Sequence, residues 1–368
     1  MARPLAHLKL PVERSLGRRY PELPHPYRNS FQRDRDRVVH ARAFRRLENK
    51  TQVFPPGISD HFRNRLTHTL EVAQIARTVA AALGLDEDLT EALALVHDIG
   101  HPPFGHAGEA ELNRQMAPFG DRFDHNLHAL RIVERLEQSY APFPGLNLTF
   151  EVREGMVKHS RDLAPGELPE YLPEFRPPVE AQLIDLTDEI AYNTADLDDA
   201  DSAGLFPHQA LFDAVPETAA LWEQLESMYP AAAPRVIFHE LLRGLINQLV
   251  SALIEGTAQA AAGLADVESV RRHPRRVAML TPGPARLNRA LKRFLHQHVY
   301  ESGALAEERG TSIGNVGELF EHYLAHPEQL PESSREALAE EPLHRVVCDY
   351  IAGMTDRYFH RVYYALNP

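Results

Sequence analysis

Residues 97–106, His97-Asp98-Ile99-Gly100-His101-Pro102-Pro103-Phe104-Gly105-His106, place three imidazoles and a carboxylate in one short run. An adjacent His-Asp pair offers a nitrogen and an anionic oxygen donor to a single divalent ion. The dipeptide alone is common, so its weight depends on His68 upstream and Asp188 downstream, each on an apolar helical stripe. Taken together, His68, His97, Asp98 and Asp188 form a two-imidazole, two-carboxylate set. Its formal charge of −2 offsets that of Mn²⁺ or Mg²⁺, with Fe²⁺ a further candidate, and leaves coordination positions open. An ion so held polarises a phosphoryl oxygen and lowers the pKa of bound water. Singly, each of these residues also has a plain reading: a histidine on an apolar helix face is more often packed core than ligand.

The elements that must carry these side chains are helical. From Arg33 to Phe54 the pattern is that of a helix stopped by Pro55-Pro56-Gly57. From Leu66 to Leu83 the residues Val72, Ile75, Ala76, Val79 and Leu83 recur on one face, with Gly84 as the stop. His68 lies one turn before Val72 and so points inward. From Asp86 to Ile99, Leu89, Ala92, Leu93 and Val96 share a face. His97 follows Leu93 by one turn, and Gly100, Pro102 and Pro103 break the helix. Further helices are expected over 109–116, 125–137, 179–199, 216–264 and 335–366. Residues 1–30 are Pro-rich and irregular, and 163–178 form a Pro-broken excursion. The one segment with strand-like alternation is Asn147 to Val152. No repeat and no βαβ pattern is present, so the fold class is all-α. The organisation reads as an irregular segment 1–30, a metal-binding catalytic core 31–215 and a C-terminal helical region 216–368 packed on the core.

Spacing adds candidates beyond the metal set. His106 and Glu109 are three apart, so on a helix starting near Ala107 the carboxylate can orient the imidazole as a general base. Arg65 precedes His68 by three and approaches the same helix side. Asp188, Tyr192 and Asp196 follow an i, i+4, i+8 register. A carboxylate accepting from a sugar 3′-hydroxyl beside a tyrosine packed on the ring leaves little room for a 2′-hydroxyl. The neighbouring Asp198, Asp199 and Asp201 read as a solvated acidic face.

Composition bounds the rest. The 368 residues are 43% hydrophobic and 25% charged, with one cysteine, Cys348. That excludes an intrachain disulfide framework and a Cys-rich zinc site. No apolar run of span length and no secretory leader are evident, so a cytoplasmic protein without a membrane segment is expected. Net charge is −13, which disfavours a general nucleic-acid binder. Residues 1–50 depart from this, with 13 Lys/Arg against 5 Asp/Glu. Arg33, Arg35, Arg37, Arg42, Arg45, Arg46 and Lys50 are either a solvated helix partnered by Asp34, Asp36 and Glu48, or a surface for a polyphosphate.

The order His68 … His97-Asp98 … Asp188 resembles the signature of the HD-domain phosphohydrolases. RDRDRVVHARAFRRLENKTQVF (33–54), RNRLTHTLEVAQIAR (63–77), HDIGHPPFGHAGEAELN (97–113), FDHN (123–126), DEIAYNTADLDDA (188–200) and DYIAGMTDRY (349–358) are similar to the bacterial dGTPase-like branch. The resemblance spans roughly residues 30–360. It implies an all-α fold, a divalent metal, and hydrolysis of a dNTP to deoxynucleoside and tripolyphosphate. It implies catalytic or phosphate-contacting roles for His101 and His125 beside His106 and Glu109, triphosphate binding by Arg65, and deoxyribose contacts by Gln52, Tyr192 and Asp196. It also implies a homo-oligomer, often a hexamer, and admits a dNTP as allosteric effector. Two alternatives stand beside a dNTP triphosphohydrolase: an HD phosphohydrolase of another nucleotide, and a nucleotide-sensing protein without turnover. The complete metal set and the His106/Glu109 pair favour turnover, and the arginines favour a triphosphate.

Overall fold

A computed structural model describes residues 4–54 and 62–366, with 303–309 as backbone only. The expected stop at Pro55-Pro56-Gly57 lies outside the described residues. Among these residues the secondary structure is helical, and extended pairing is confined to three isolated bridges. The all-α expectation holds.

The chain divides into two compact units and passes between them repeatedly: one comprises residues 1–15, 70–94 and 159–305, the other residues 16–69, 95–158 and 306–368. In the first unit, helices Val179–Ser202, Pro216–Met228, Pro234–Ala260 and Pro282–Leu295 pack together. Three of these begin with proline at the first helical position, where the missing N–H has no intrahelical partner to lose. Leu5, Leu8 and Leu10 of the Pro-rich start are buried, so that irregular segment is tied down. Pro234–Ala260 is long and apolar enough to cross a membrane by length and composition, which amends the expectation that no such stretch exists. Its buried stripe, including Phe238, Leu241, Leu245, Leu249 and Leu253, accounts for the apolarity as core packing.

The second unit carries the histidine-rich run. Its core joins Leu112, Met116 and Phe123 to Val316, Phe320, Val347, Ile351 and Phe359. Helix Gly105–Met116, which bears Glu109, is therefore anchored on Leu343–Ala352. Helix Ser30–His40 opens on a capping box in which Asn29 accepts from the Gln32 amide at 2.8 Å and Gln32 accepts from the Asn29 amide at 3.1 Å.

Several expected boundaries move. The helix expected over 33–54 is split, because Ala41 takes an extended conformation between Ser30–His40 and Arg42–Arg46. The helix expected to end at Ile99 is Glu87–Val96, so His97 and Asp98 stand just past its end. The strand expected over 147–152 does not form. Asn147 has φ of 49°, Thr149 makes a lone bridge to Arg18, and helix Phe150–Val157 begins immediately after; this helix is buried on every side, which erases any helical period. In the Arg-rich segment, Arg33 and Arg37 pair with Glu22, and Asp34 receives Arg18 at 2.5 Å rather than a neighbour on its own helix. These cations serve an internal network.

Candidate functional site

The second unit brings together Arg65, His68, His97, Asp98, His101, His106, Glu109 and His125. Arg65 and His68 occupy the first turn of helix Arg65–Leu83. Both are buried, as the shared helix side implied. The His68 and His97 rings meet edge-on with centroids 5.8 Å apart, and a ring nitrogen of each lies within 4.8 Å of the other. Asp98 is the hub. Its Oδ2 accepts from Arg65 at 2.9 Å, while Oδ1 lies 3.0 Å from His101 Nδ1 and 3.6 Å from His97 Nε2. Burial pushes this carboxyl up, but Arg65, His101 and His97 beside it outweigh burial and hold it well below the usual range. Burial and the Arg65 charge together keep His101 well below an ordinary histidine, so its ring is neutral. Two buried imidazoles converging beside an ionised, buried carboxylate fit a divalent ion by donor chemistry and charge.

The turn 100–105 sets the histidines. Gly100 is required because a Cβ there would overlap the His125 carbonyl oxygen. Phe104 and Gly105 both take left-handed conformations, φ 63° and 57°. A Cβ at Gly105 would lie 2.7 Å from Arg65 Nη2, so the missing side chain also admits the guanidinium. Helix Gly105–Met116 then starts four residues before the expected 109, two before Ala107, and turns His106 out and Glu109 in.

Glu109 serves two imidazoles, one per oxygen. Oε2 lies 3.2 Å from His106 Nδ1, and Oε1 lies 2.7 Å from His125 Nδ1 and accepts the His125 backbone amide at 2.9 Å. Burial raises this carboxyl, yet the hydrogen bonds from His106 and His125 pull it far below the carboxylate range. An ionised carboxylate only accepts, so each imidazole presents its Nδ1–H to Glu109. Nε2 of His106, whose side chain is 81% exposed, is thereby left able to accept a proton. His125 is positioned by the Asp124 cap, which accepts from Leu127 N at 3.0 Å, and stacks on His101 at 4.0 Å. Gln52 is drawn toward this set by the bridge between Thr51 and Asn64, and its amide oxygen is buried with no partner among the described residues.

Asp188, Tyr192 and Asp196 lie on helix Val179–Ser202 in the first unit. Asp188 and Tyr192 line a cleft of about 480 Å³ that also receives Arg276 and Lys292. Burial, then the adjacent Glu189, Asp188 and Asp196, pushes the Tyr192 phenol up, so it stays protonated. Asp196 is buried and accepts from the Tyr300 hydroxyl. Asp199, expected in a solvated acidic face, is 5% exposed and belongs to the interior of the helix.

Two partners in this unit escape sequence inspection. His159 Nδ1 lies 2.9 Å from Asp185 and Nε2 lies 3.8 Å from Asp188. Burial lowers this imidazole, but the two carboxylates overcome burial and raise it to about 10, so His159 is a fixed cation beside Asp188. Tyr300 closes a π-turn, His296–Tyr300, whose lack of a regular period hides it. A larger cleft of about 910 Å³ in the second unit is lined by Arg131, Asp349 and, from the Arg-rich segment, Arg42 and Arg46; it includes none of the metal-type or catalytic candidates.

The HD domain family matches residues 65–193, and the phosphohydrolase-associated domain family matches residues 278–365. The chain is 47% identical over 351 residues to a deoxyguanosinetriphosphate triphosphohydrolase-like protein of Azoarcus sp., covering 94% of this chain and 91% of that protein. Proteins of the same description from Geobacter sulfurreducens (43% identity, 94% and 90% coverage) and Bordetella pertussis (45%, 93% and 91%) are similar over the same extent.

Proposed function

Because the chain belongs to the deoxyguanosinetriphosphate triphosphohydrolase-like family of HD-domain phosphohydrolases, we propose that it is a metal-dependent hydrolase of deoxynucleoside triphosphates, yielding deoxynucleoside and tripolyphosphate. The observation that carries this reading is Glu109 holding His106 and His125 at 3.2 and 2.7 Å, beside the Asp98–His101 contact. This is a base with its orienting carboxylate set next to metal-type donors.

In this reading His68, His97, Asp98 and Asp188 hold the ion; Asp188 enters by the order of the sequence signature. When bound, a Mn²⁺ or Mg²⁺ ion supplies charge stabilisation at the phosphoryl oxygens. The protein's own groups do the rest. His106 Nε2 takes a proton from the attacking water, whose oxygen bonds to the α-phosphorus as the bond to the 5′-oxygen breaks. The 5′-oxygen takes up a proton from solvent and leaves as the nucleoside hydroxyl, and the His106 imidazolium returns its proton to solvent. Glu109 stabilises the imidazolium formed at His106. His101 and His125, stacked and held through Nδ1 by Asp98 and Glu109, contact the phosphate oxygens and donate to them from Nε2 only when the ring takes up a second proton as the anionic substrate binds. Arg65 and Gln52 bind the triphosphate and sugar. Tyr192 and Asp196 read the deoxyribose, with Asp196 accepting from the 3′-hydroxyl in competition with Tyr300. The expectations of a homo-oligomer and of a dNTP effector rest on family resemblance alone.

The test is incubation of the chain with each dNTP, singly and in mixtures, with Mn²⁺ or Mg²⁺, followed by identification of the phosphorus product. Tripolyphosphate supports the reading. Orthophosphate or pyrophosphate would replace it with another HD phosphohydrolase activity, and binding without turnover would indicate a sensor.

A further inference from the structure

Two buried charged side chains in the second unit have no part in the chemistry above. Lys50 is 3% exposed, and its Nζ, which donates whether protonated or neutral, bonds the backbone carbonyl of His101 and, at 3.2 Å, that of Ala352. Ala352 ends helix Leu343–Ala352, where last-turn carbonyls lack intrahelical donors and the helix dipole favours a cation. Arg46 donates to the next carbonyl, Gly353, at 2.9 Å. Asp356, 2% exposed, accepts from the Phe104 amide at 3.1 Å through Oδ1. Its Oδ2 accepts from the Thr51 amide at 2.8 Å and the Thr51 hydroxyl at 2.5 Å.

These contacts fall on both sides of Pro102-Pro103. Proline has no backbone N–H, so the turn can form few internal hydrogen bonds. Phe104, a non-glycine residue at φ 63°, is held in a left-handed conformation whose strain opening of the turn would relieve. Among the backbone groups that can restrain it are the His101 carbonyl and the Phe104 amide, and Lys50 and Asp356 engage these two. Asp356 heads helix Asp356–Leu366, within the region that matches the phosphohydrolase-associated domain.

We propose that Lys50 and Asp356 are positioning residues that clamp the 101–105 turn, holding His101 and His106 in register with Glu109 and His125, and that the C-terminal helices are thereby needed for turnover as well as for packing. This rests on the reading of His101 and His106 as catalytic. The variants are Asp356→Asn, which converts one accepting oxygen to a donor, and Lys50→Met, which keeps the stem and removes the donor. Asp356→Glu is the conservative control. Each is made in the full chain and assayed for kcat and KM with dGTP and Mn²⁺. Hydrogen–deuterium exchange is followed by mass spectrometry on peptides spanning 98–108 and 234–260.

Both disrupting variants are expected to lower kcat roughly 10- to 100-fold, the effect usual for supporting residues, with KM nearly unchanged. Exchange should rise in 98–108 and stay constant in 234–260, and Asp356→Glu should recover part of kcat. Unchanged kcat with unchanged local exchange overturns the proposal. So does a loss of kcat accompanied by faster exchange in both regions, which marks a merely structural role. Absence of dNTP turnover in the unaltered chain would fail the functional reading instead, and the exchange comparison would still decide whether the clamp exists.

Discussion

Replacing Glu180 by Gln should stabilise the protein, and by an amount that grows with pH. Glu180 is fully buried at the start of helix Val179–Ser202. Its Oε1 accepts the backbone amides of Leu10 at 3.0 Å and Asp86 at 3.1 Å, whereas Oε2 is buried without a partner among the described residues. Burial raises this carboxyl from an ordinary 4.5 to about 7, against the pull of the two amides. Between those values the folded chain keeps a proton that the unfolded chain has released. The associated stability is therefore complete below pH 4.5 and is lost as pH rises through 7. At about 1.4 kcal/mol per pH unit, the full loss is about 3 kcal/mol, of which roughly 2 to 3 falls between pH 5 and pH 8. Gln keeps the accepting oxygen and never ionises, so it avoids the loss. Urea unfolding of both proteins at pH 5 and pH 8 measures it. The Gln variant should be similar to the parent at pH 5 and clearly more stable at pH 8. A difference that does not change with pH would refute the reasoning, since the effect would then owe nothing to ionisation of Glu180.

Glu109→Gln removes the acceptor from one of the two imidazoles it orients; kcat should fall by about 10²- to 10⁴-fold while metal content, read by mass spectrometry, is retained. Asp98→Asn should abolish stoichiometric Mn²⁺ binding and also lower the melting temperature of the metal-free protein, because it leaves the buried Arg65 guanidinium without its anionic partner, a loss of about 3 kcal/mol. Gly100→Ala forces a Cβ into the His125 carbonyl and the Ala129 amide; a cost of at least 1 to 3 kcal/mol is expected from such overpacking, visible as a lower melting temperature or insoluble expression. Cys348 is fully buried, and burial pushes its thiol up, so it should react with a disulfide reagent only after denaturant is added.

What the sequence made legible follows the range of the interactions. Helix Arg65–Leu83 was readable because its apolar stripe is local and periodic, and His68 on that stripe is buried as the spacing implied. His106 and Glu109 were readable because a three-residue offset on a helix fixes their contact at 3.2 Å. Glu109 also holds His125, sixteen residues away, through a cap at Asp124 that local spacing does not announce. Lys50 with Ala352 and Asp356 with Phe104 are separated by 302 and 252 residues, and Tyr300 with Asp196 by 104. No period links such pairs, so they emerge only from the fold. The strand-like alternation of 147–152 runs into helix Phe150–Val157, whose residues are buried on every face and so carry no helical period to announce it.

In the proposed reaction, water activated at His106 hydrolyses a dNTP at the α-phosphorus. Its most direct test is turnover of dGTP in ¹⁸O-water with Mn²⁺, with products resolved by ³¹P NMR and mass spectrometry. The expected result is tripolyphosphate carrying one ¹⁸O and an unlabelled deoxynucleoside, with the rate abolished in His106→Ala. Label in the nucleoside hydroxyl, or deoxynucleoside mono- or diphosphate as the product, would contradict it.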